Sequence, residues 1–352
     1  MYTLGIDLHK RSSVWVLIDD DYKELWKENV VCHPDHITTA VKKLPVPPSE
    51  INVAIEPVCG WRWVSVVLEH AGMKVKIAHP KKVRLIAEST QKHDVGDARM
   101  LANLLRSGYF PEAHRVSEPI YCLRLLLRER AYLVGIRTSA KNRLHGIATT
   151  QGLHHIKGGN PLWKAGKAGI LSGDNFILKE LHALIEELDR RIAPFDTACV
   201  QEVTTHPVAR ILMTMPGVGV ITALTVLAEV ENFARFPSAK HLTSFAGLVP
   251  RQRSSGEKVR FGSITNQGSK ILRTALVETA MRIRSTVPEL HAFVERLTPI
   301  CGAKKARIAL ARKMLALLWK MATTDTPYDA EKVCLSSSCT TNVSKLDTGS
   351  GA

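Results

Sequence analysis

Paired cysteines are missing from this sequence: Cys32, Cys59, Cys122, Cys199, Cys301, Cys334 and Cys339 are scattered without a C-x-x-C pair. That spacing indicates neither a zinc site nor a disulfide framework. Long apolar runs are missing too. The longest nearly apolar stretch, Val218 to Val230, falls short of the roughly 20 residues that a membrane span requires and ends in charge, so no membrane insertion is expected. Met1 to Lys10 reads as a strand rather than a basic head followed by an apolar run, so no signal peptide is expected and the cytoplasm is the expected compartment. Acidic charge is scarce: 33 Asp and Glu stand against 48 Lys and Arg, a formal net charge of +15. Such a surface attracts polyanions, nucleic acid first and a membrane surface second.

With 352 residues and a hydrophobic fraction of 45%, the chain has material for two or three domains with their own cores. The acids it does have are placed unusually. In Lys92-His93-Asp94-Val95-Gly96-Asp97-Ala98-Arg99, two carboxylates stand three residues apart at the mouth of an apolar helix (Ala98, Leu101, Leu104, Leu105) that stops at Ser107-Gly108. If the helix begins by Asp94, both aspartates face the same side. Taken alone, the pair could simply favour the positive end of the helix dipole, which contributes a few tenths of a kcal/mol.

Two further acids change the balance. Tyr2 to Leu8 is an apolar run carrying Asp7, and Val14 to Ile18 follows as its hairpin partner before the turn Asp19-Asp20-Asp21. A third strand is expected at Leu25 to Val31, a helix from Asp35 to Leu44, a strand from Ile51 to Glu56, a helix from Trp63 to His70 and a strand from Lys74 to Ala78. Three antiparallel strands followed by alternating helix and strand is the order of an RNase H-like α/β fold. It puts Asp7 on the central strand, Glu56 at the end of the next inner one, and Asp94 and Asp97 on a helix packed across them. An unpaired acid inside an apolar strand is costly, so Asp7 argues for function, whereas Glu56 alone reads equally as a surface strand end. Four converging carboxylates repel one another unless a cation sits between them, and hard divalent ions such as Mg2+ suit such ligands.

From Ser117 the pattern turns to long helices. Leu123, Leu126, Leu127, Leu133, Val134 and Leu144 form an amphipathic series with a basic face, and residues 81–143 hold 13 Lys and Arg against 6 Asp and Glu. Gly152 to Gly173 reads as a loop whose His154-His155 pair lacks a third ligand partner and is assigned to the surface. A second long helix spans Asp174 to Glu202, and the two form an antiparallel hairpin or a dimer-forming coiled coil.

Pro216-Gly217-Val218-Gly219 is the turn of a helix-hairpin-helix, whose Gly217 and Gly219 let the backbone approach a phosphate, or else a plain helix-helix turn. Residues 235–320 carry 17 Lys and Arg and 4 Asp and Glu, which marks the nucleic-acid surface, with Arg251, Arg253, Lys258, Arg260, Lys270 and Arg273 as its candidate phosphate ligands. Ser254-Ser255-Gly256 is a hydroxyl pair on a flexible loop among arginines. Guanidinium groups and a metal favour a serine alkoxide, although the same tripeptide also occurs as a mere loop.

With these residues in view, the chain resembles the insertion-sequence transposases of the IS one-ten type from about Thr3 to about Lys320. Gly-Ile-Asp7 with His9-Lys10, Ala-Ile-Glu56 and Lys-His-Asp94-Val-Gly-Asp97-Ala match the family's D-E-D-D set in order and spacing. Pro216 to Gly219, Ala246-Gly247-Leu248-Val249-Pro250, Ser254-Ser255-Gly256 and Gly268 to Arg273 match its C-terminal block. The acid motif usually reads Lys-Thr-Asp; here His93 replaces the threonine, with little effect expected because the carboxylate is kept. The tail, rich in Ser, Thr and Gly, has no counterpart and is expected to be disordered.

The resemblance implies an α/β plus α architecture: a RuvC-like domain over residues 1–115, a helical coiled-coil region over 116–205, a mainly helical transposase domain with a helix-hairpin-helix-like motif over 206–322, and the tail over 323–352. It also implies a bacterial or archaeal, nucleoid-associated recombinase. Asp7, Glu56, Asp94 and Asp97 would bind Mg2+, and Ser255 would attack the scissile phosphate to leave a covalent phosphoserine. Ser255 is preferred to Ser254 because it directly precedes Gly256. A noncoding guide (bridge) RNA would pair with donor and target DNA, and the protein would act as a homo-oligomer, dimer or tetramer. Two alternatives stand beside this reading: a RuvC-like nuclease that activates water, and a basic nucleic-acid-binding protein without catalysis.

Overall fold

The computed structural model describes residues 1–86, 93–152, 175–255 and 258–330, with the main chain alone for 253–255 and 258–260. The chain divides into two compact units, Met1–Arg115 and Val116 onward.

The first unit is a five-stranded sheet in the order β3-β2-β1-β4-β5. Its strands are β1 (Tyr2–Leu8), β2 (Ser12–Ile18), β3 (Glu24–Val31), β4 (Ile51–Ile55) and β5 (Lys74–Ile77). β1 to β3 are antiparallel, while β4 pairs parallel to β1 and β5 parallel to β4, which is the RNase H-like arrangement expected from the order of elements. Period-two alternation sorts β1 cleanly between two faces. Leu4, Ile6 and Leu8 join the core with Ile37, Ala40 and Val41 of α1 (Pro34–Lys42) and Val64 and Leu68 of α2 (Trp61–His70). The alternate residues, Gly5 and Asp7, belong to the other face. α3 (Pro80–Ile86) and α4 (Asp94–Arg106) follow, and α4 packs on this second face, where Ala98 and Ala102 meet Val14, Val16 and Ile18 of β2 and Leu101 meets Ala54 of β4.

The second unit begins with the 33-residue α5 (Glu118–Thr150) and the 30-residue α6 (Phe176–Thr205). Arg130 pairs with Asp196, Arg137 with Asp189 and Gln151 with Asn175, so the residue numbers run in opposite directions and the helices are antiparallel. Within the chain the hairpin is therefore the arrangement adopted, sealed by Ala140, Leu144, Leu178 and Ile185. Residues 153–174, which include His154 and His155, lie outside the described part.

The base of this hairpin shares one core with everything that follows: Ile120, Leu123 and Leu127 of α5 and Cys199 and Val203 of α6 pack with α7 (Pro207–Met213), α8 (Val220–Val230), α9 (Ala239–Phe245), α10 (Lys270–Thr286), α11 (Pro288–Cys301) and α12 (Ala303–Thr324). Most of the apolar run Val218 to Val230 forms helix α8 of this core, where Thr222 to Val230 are all buried. Buried Glu229 near its end is held by Arg128 (3.2 Å), while Arg124 donates to the carbonyls of Ala228 (2.7 Å) and Glu229 (3.1 Å). Among the described residues, no helix is long and apolar enough to cross a membrane. α12 runs to Thr324, and beyond it Tyr328 packs against the core while its N–H donates to Thr214 Oγ1 at 2.8 Å. Residues 331–352 of the expected disordered tail lie outside the described part.

One expectation is corrected here. Ser254 and Ser255 do not sit on a flexible loop but close strand β6 (Pro250–Ser255), which pairs antiparallel with β7 (Lys258–Ile264) through Ser254↔Val259 and Ser255↔Lys258. β6 is polar and basic, and the alternation of Val259 and Phe261 in β7 is short and set among Lys258 and Arg260, so both escape a search for buried strands. Gly256 and Glu257 between them lie outside the described part; a glycine-first two-residue connection is a hairpin signal that was available in the sequence.

The approach of α4 to β1 rests on a glycine. A Cβ at Gly5 would lie 1.9 Å from the Ala98 carbonyl oxygen and 2.8 Å from the Ala102 nitrogen, both backbone atoms that cannot give way without moving the helix. Gly5→Ala is therefore expected to destabilise the protein by about 1–3 kcal/mol or more through overpacking, read as a lower urea midpoint. A midpoint equal to wild type would show that α4 does not pack this closely.

Candidate active site

Asp7 lies one residue before the end of β1, on the face covered by α4, and retains only 8% exposure. Its neighbours come from α4 because of how that helix starts. His93 is the N-cap, in extended conformation, and its Nδ1 accepts the Gly96 N–H at 3.0 Å. Gly96 leaves room for the ring, since a Cβ there would approach His93 Cε1 to 2.9 Å. The imidazole thus satisfies one of the free N–H groups of the first turn, the task a threonine hydroxyl performs at other helix starts. Asp94 is the first helical residue and Asp97 lies one turn later, on the same side.

The turn after β1 adds a residue that the sequence reading left without a role. His9 Nε2 lies 3.2 Å from Asp7 Oδ2 and 3.4 Å from Asp94 Oδ2, and the donor atoms of Asp7, His9 and Asp94 all lie within 4.8 Å of one another. Its position two residues beyond a buried acid, at a strand end, was the available signal. Asp97 is close enough for its charge to act on Asp7. Glu56 follows the last registered pair of the parallel strands, Ile6↔Ile55, by one residue, at the same end of the sheet but outside the three-donor group.

Burial pushes the Asp7 carboxyl above its ordinary 3.8; His9 pulls the other way, and the charges of Asp94 and Asp97 add to the rise. A buried carboxylate with like-charged neighbours is a poor choice for a stable fold and a good one for a cation site. These oxygen donors, with solvent access through the half-exposed Asp94 and His9, fit a divalent ion.

In the second unit the candidate phosphate ligands separate. Arg251 and Lys270 are exposed. Arg273 Nη1 instead donates to the carbonyls of Ala246 (3.3 Å), Gln267 (2.9 Å) and Gly268 (3.1 Å), clasping the start of α10 to the end of α9. Gly219, the N-cap of α8, has open space around it, whereas Gly217, at φ +81°, is turned toward α10, where a Cβ would meet Ile283 Cγ1 at 2.7 Å. The side chains of Arg253, Ser254, Ser255, Lys258 and Arg260 lie outside the described part.

The Asp7 shift has a sign that can be measured. The folded protein holds this proton more tightly than the unfolded chain does, so stability falls as pH rises from 3.8 through the raised folded value. In metal-free protein, Asp7→Asn is expected to raise the thermal midpoint at neutral pH, with the gain shrinking as the pH approaches 3.8. A variant no more stable than wild type at neutral pH would contradict this account of the site.

Comparison with known proteins extends the picture. A family model described as a transposase, of the DEDD IS110 type, matches residues 4–150, and one described as the transposase IS116/IS110/IS902 family matches residues 209–295. The transposase for insertion sequence element IS1111A of Coxiella burnetii is 27% identical over 270 residues, covering 73% of each chain. That for element IS1328 of Yersinia enterocolitica is 25% identical over 296 residues, covering 78% of this chain and 85% of its own. A pilin gene-inverting protein of Moraxella bovis is 36% identical over 124 residues, covering 34% of this chain and 38% of its own. The two models meet the acid-bearing unit and the basic helical unit in chain order, and with relatives aligned along most of their length they make this chain a member of the IS110/IS1111 family of transposases.

Proposed function

We propose that this transposase cuts and rejoins DNA strands through a covalent phosphoserine, with Asp7, Glu56, Asp94 and Asp97 holding a divalent ion such as Mg2+ and Ser255 acting as nucleophile. The observation that carries the metal-dependent part is the meeting of buried Asp7 with Asp94 and His9 at the end of the central strand. A divalent ion held by these residues would supply positive charge to offset the negative charge building on the scissile phosphate.

The chain's own residues do the rest. Ser255 Oγ forms a bond to phosphorus as the bond to the departing sugar oxygen breaks, and the departing oxygen takes up a proton. Attack on the phosphoserine by a hydroxyl of the incoming strand reverses the step, restores the serine and conserves the bond energy. Arg251, Arg253, Lys258, Arg260 and Lys270 neutralise DNA phosphates, and the N-terminus of α8 at Gly219 receives one more, in the manner of a helix-hairpin-helix. A noncoding guide RNA supplies pairing to donor and target DNA. A homo-oligomer, dimer or tetramer, forms through the α5–α6 hairpin, where Tyr132 and Leu184 are exposed at 64% and 44%. In functional terms residues 1–115 are the RuvC-like domain, 116–205 the coiled-coil region and 206–322 the serine-bearing domain.

Two experiments test this reading. Ser255→Ala is expected to abolish the protein–DNA adduct and to lower strand exchange by about three orders of magnitude or more, while Ser254→Ala retains both. Cleavage that persists with both serines removed but is lost in Asp7→Asn would identify a nuclease using water; cleavage indifferent to Asp7 and to Mg2+ would remove the metal reading altogether. Sequencing RNA that co-purifies with the protein from cells carrying its flanking DNA is expected to return one dominant adjacent transcript, and a heterogeneous mixture would refute the guide.

A further inference from the structure

We infer that His9 is itself a ligand of the ion, through Nε2, and that its imidazole shifts the site's preference away from Mg2+ toward Mn2+. This rests on the metal-dependent reading above and concerns a residue outside the four-acid set.

Placement comes first. His9 Nε2 lies between carboxylate oxygens from two elements, 3.2 Å from Asp7 Oδ2 on β1 and 3.4 Å from Asp94 Oδ2 on α4. A cation bound by both carboxylates would occupy the space that this nitrogen faces, so the ring must either bind the ion or swing away. Its main chain is fixed in place. The His9 N–H donates to the Ser12 carbonyl (2.8 Å), the His9 carbonyl accepts the Cys32 thiol (3.2 Å), and the Cys32 N–H donates to the Arg11 carbonyl (3.0 Å). The turn between β1 and β2 is thereby tied to the residue that follows β3, and the ring is presented to the acids by a pinned main chain. Pre-organisation of this kind is what a metal ligand requires.

Chemistry comes second. Mg2+ is hard, prefers oxygen and gives up its water reluctantly, so a four-acid set suits it. An imidazole nitrogen is a softer donor that adds affinity for first-row transition ions over Mg2+, and Mn2+ is the member of that series that accepts carboxylates as Mg2+ does, so two carboxylates with one imidazole favour it over Mg2+. Binding an ion would require the neutral ring with its proton on Nδ1, which leaves the Nε2 lone pair for the metal.

The test loads full-length protein with MnCl2 and records pulsed electron paramagnetic resonance, alongside calorimetric titrations with MnCl2 and MgCl2. Wild type is expected to show the modulation of a directly bound imidazole nitrogen, altered by 15N-histidine labelling and lost in both His9→Ala and His9→Gln. Mn2+ affinity should fall about tenfold or more in these variants, with a smaller loss for Mg2+. Wild type with Mn2+ bound but no nitrogen coupling, or equal losses for the two ions, would overturn the inference. Asp7→Asn separates the two levels: if it binds Mn2+ as wild type does, the metal site itself is wrong, and if it loses the ion while wild type lacks nitrogen coupling, only the role of His9 is wrong.

Discussion

The closeness of α4 to β1 is the constraint on which the acid-bearing unit depends. Gly5, Ala98 and Ala102 are small because the helix backbone rides on the strand backbone, with no space for a Cβ on the strand at the crossing. This contact sets the depth at which the first turn of α4 meets the end of β1, and therefore the separation of Asp94 from Asp7. The ion pairs that also hold α4, Arg99 with Glu24 and Arg106 with Asp20, are partly exposed and add little by comparison. Small residues hold the carboxylates together against their own repulsion.

That repulsion is stability given up for chemistry. Asp7 is buried on an apolar strand, its proton is held more tightly than in water, and Asp94 and Asp97 make matters worse. The surrounding sheet absorbs the penalty with a dense core on its opposite face, where Leu4, Ile6 and Leu8 from the same strand are almost fully buried. Period-two alternation lets one strand do both jobs: one face anchors and the other presents the acid.

The second unit solves a different problem, how to keep a strongly basic segment folded. Its cations do not all face outward to phosphate. Arg124 and Arg128 close on buried Glu229, Arg273 clasps three carbonyls, and Arg235 stacks on Phe236 and Phe245 with ring centroids 4.3 and 4.8 Å away. Charge counting along the sequence marks a basic segment but cannot separate these structural cations from the exposed ones, because the distinction lies in partners far away in the chain.

Much of the sheet was legible from sequence because each strand has a one-dimensional signature: alternation, an acid at a strand end, a turn. The paired acids at the start of α4 were legible for the same reason, as a cap followed by an amphipathic run. The β6–β7 hairpin was not, since Pro250–Ser255 has no apolar alternation and that of Val259 and Phe261 is only two residues long. The amphipathic series of α5 and α6 also left open whether the partner helix came from the same chain, because an apolar stripe looks alike in either case; the opposed pairs Arg130–Asp196 and Arg137–Asp189 decide it within the chain. The sequence by itself determined which acids stand at strand ends and at the start of α4, and in what order, since residue type and local spacing suffice for that. Only the tertiary structure decided that His9 stands between two of the acids and that Arg273 serves the backbone, because both depend on distances between segments that no local pattern encodes.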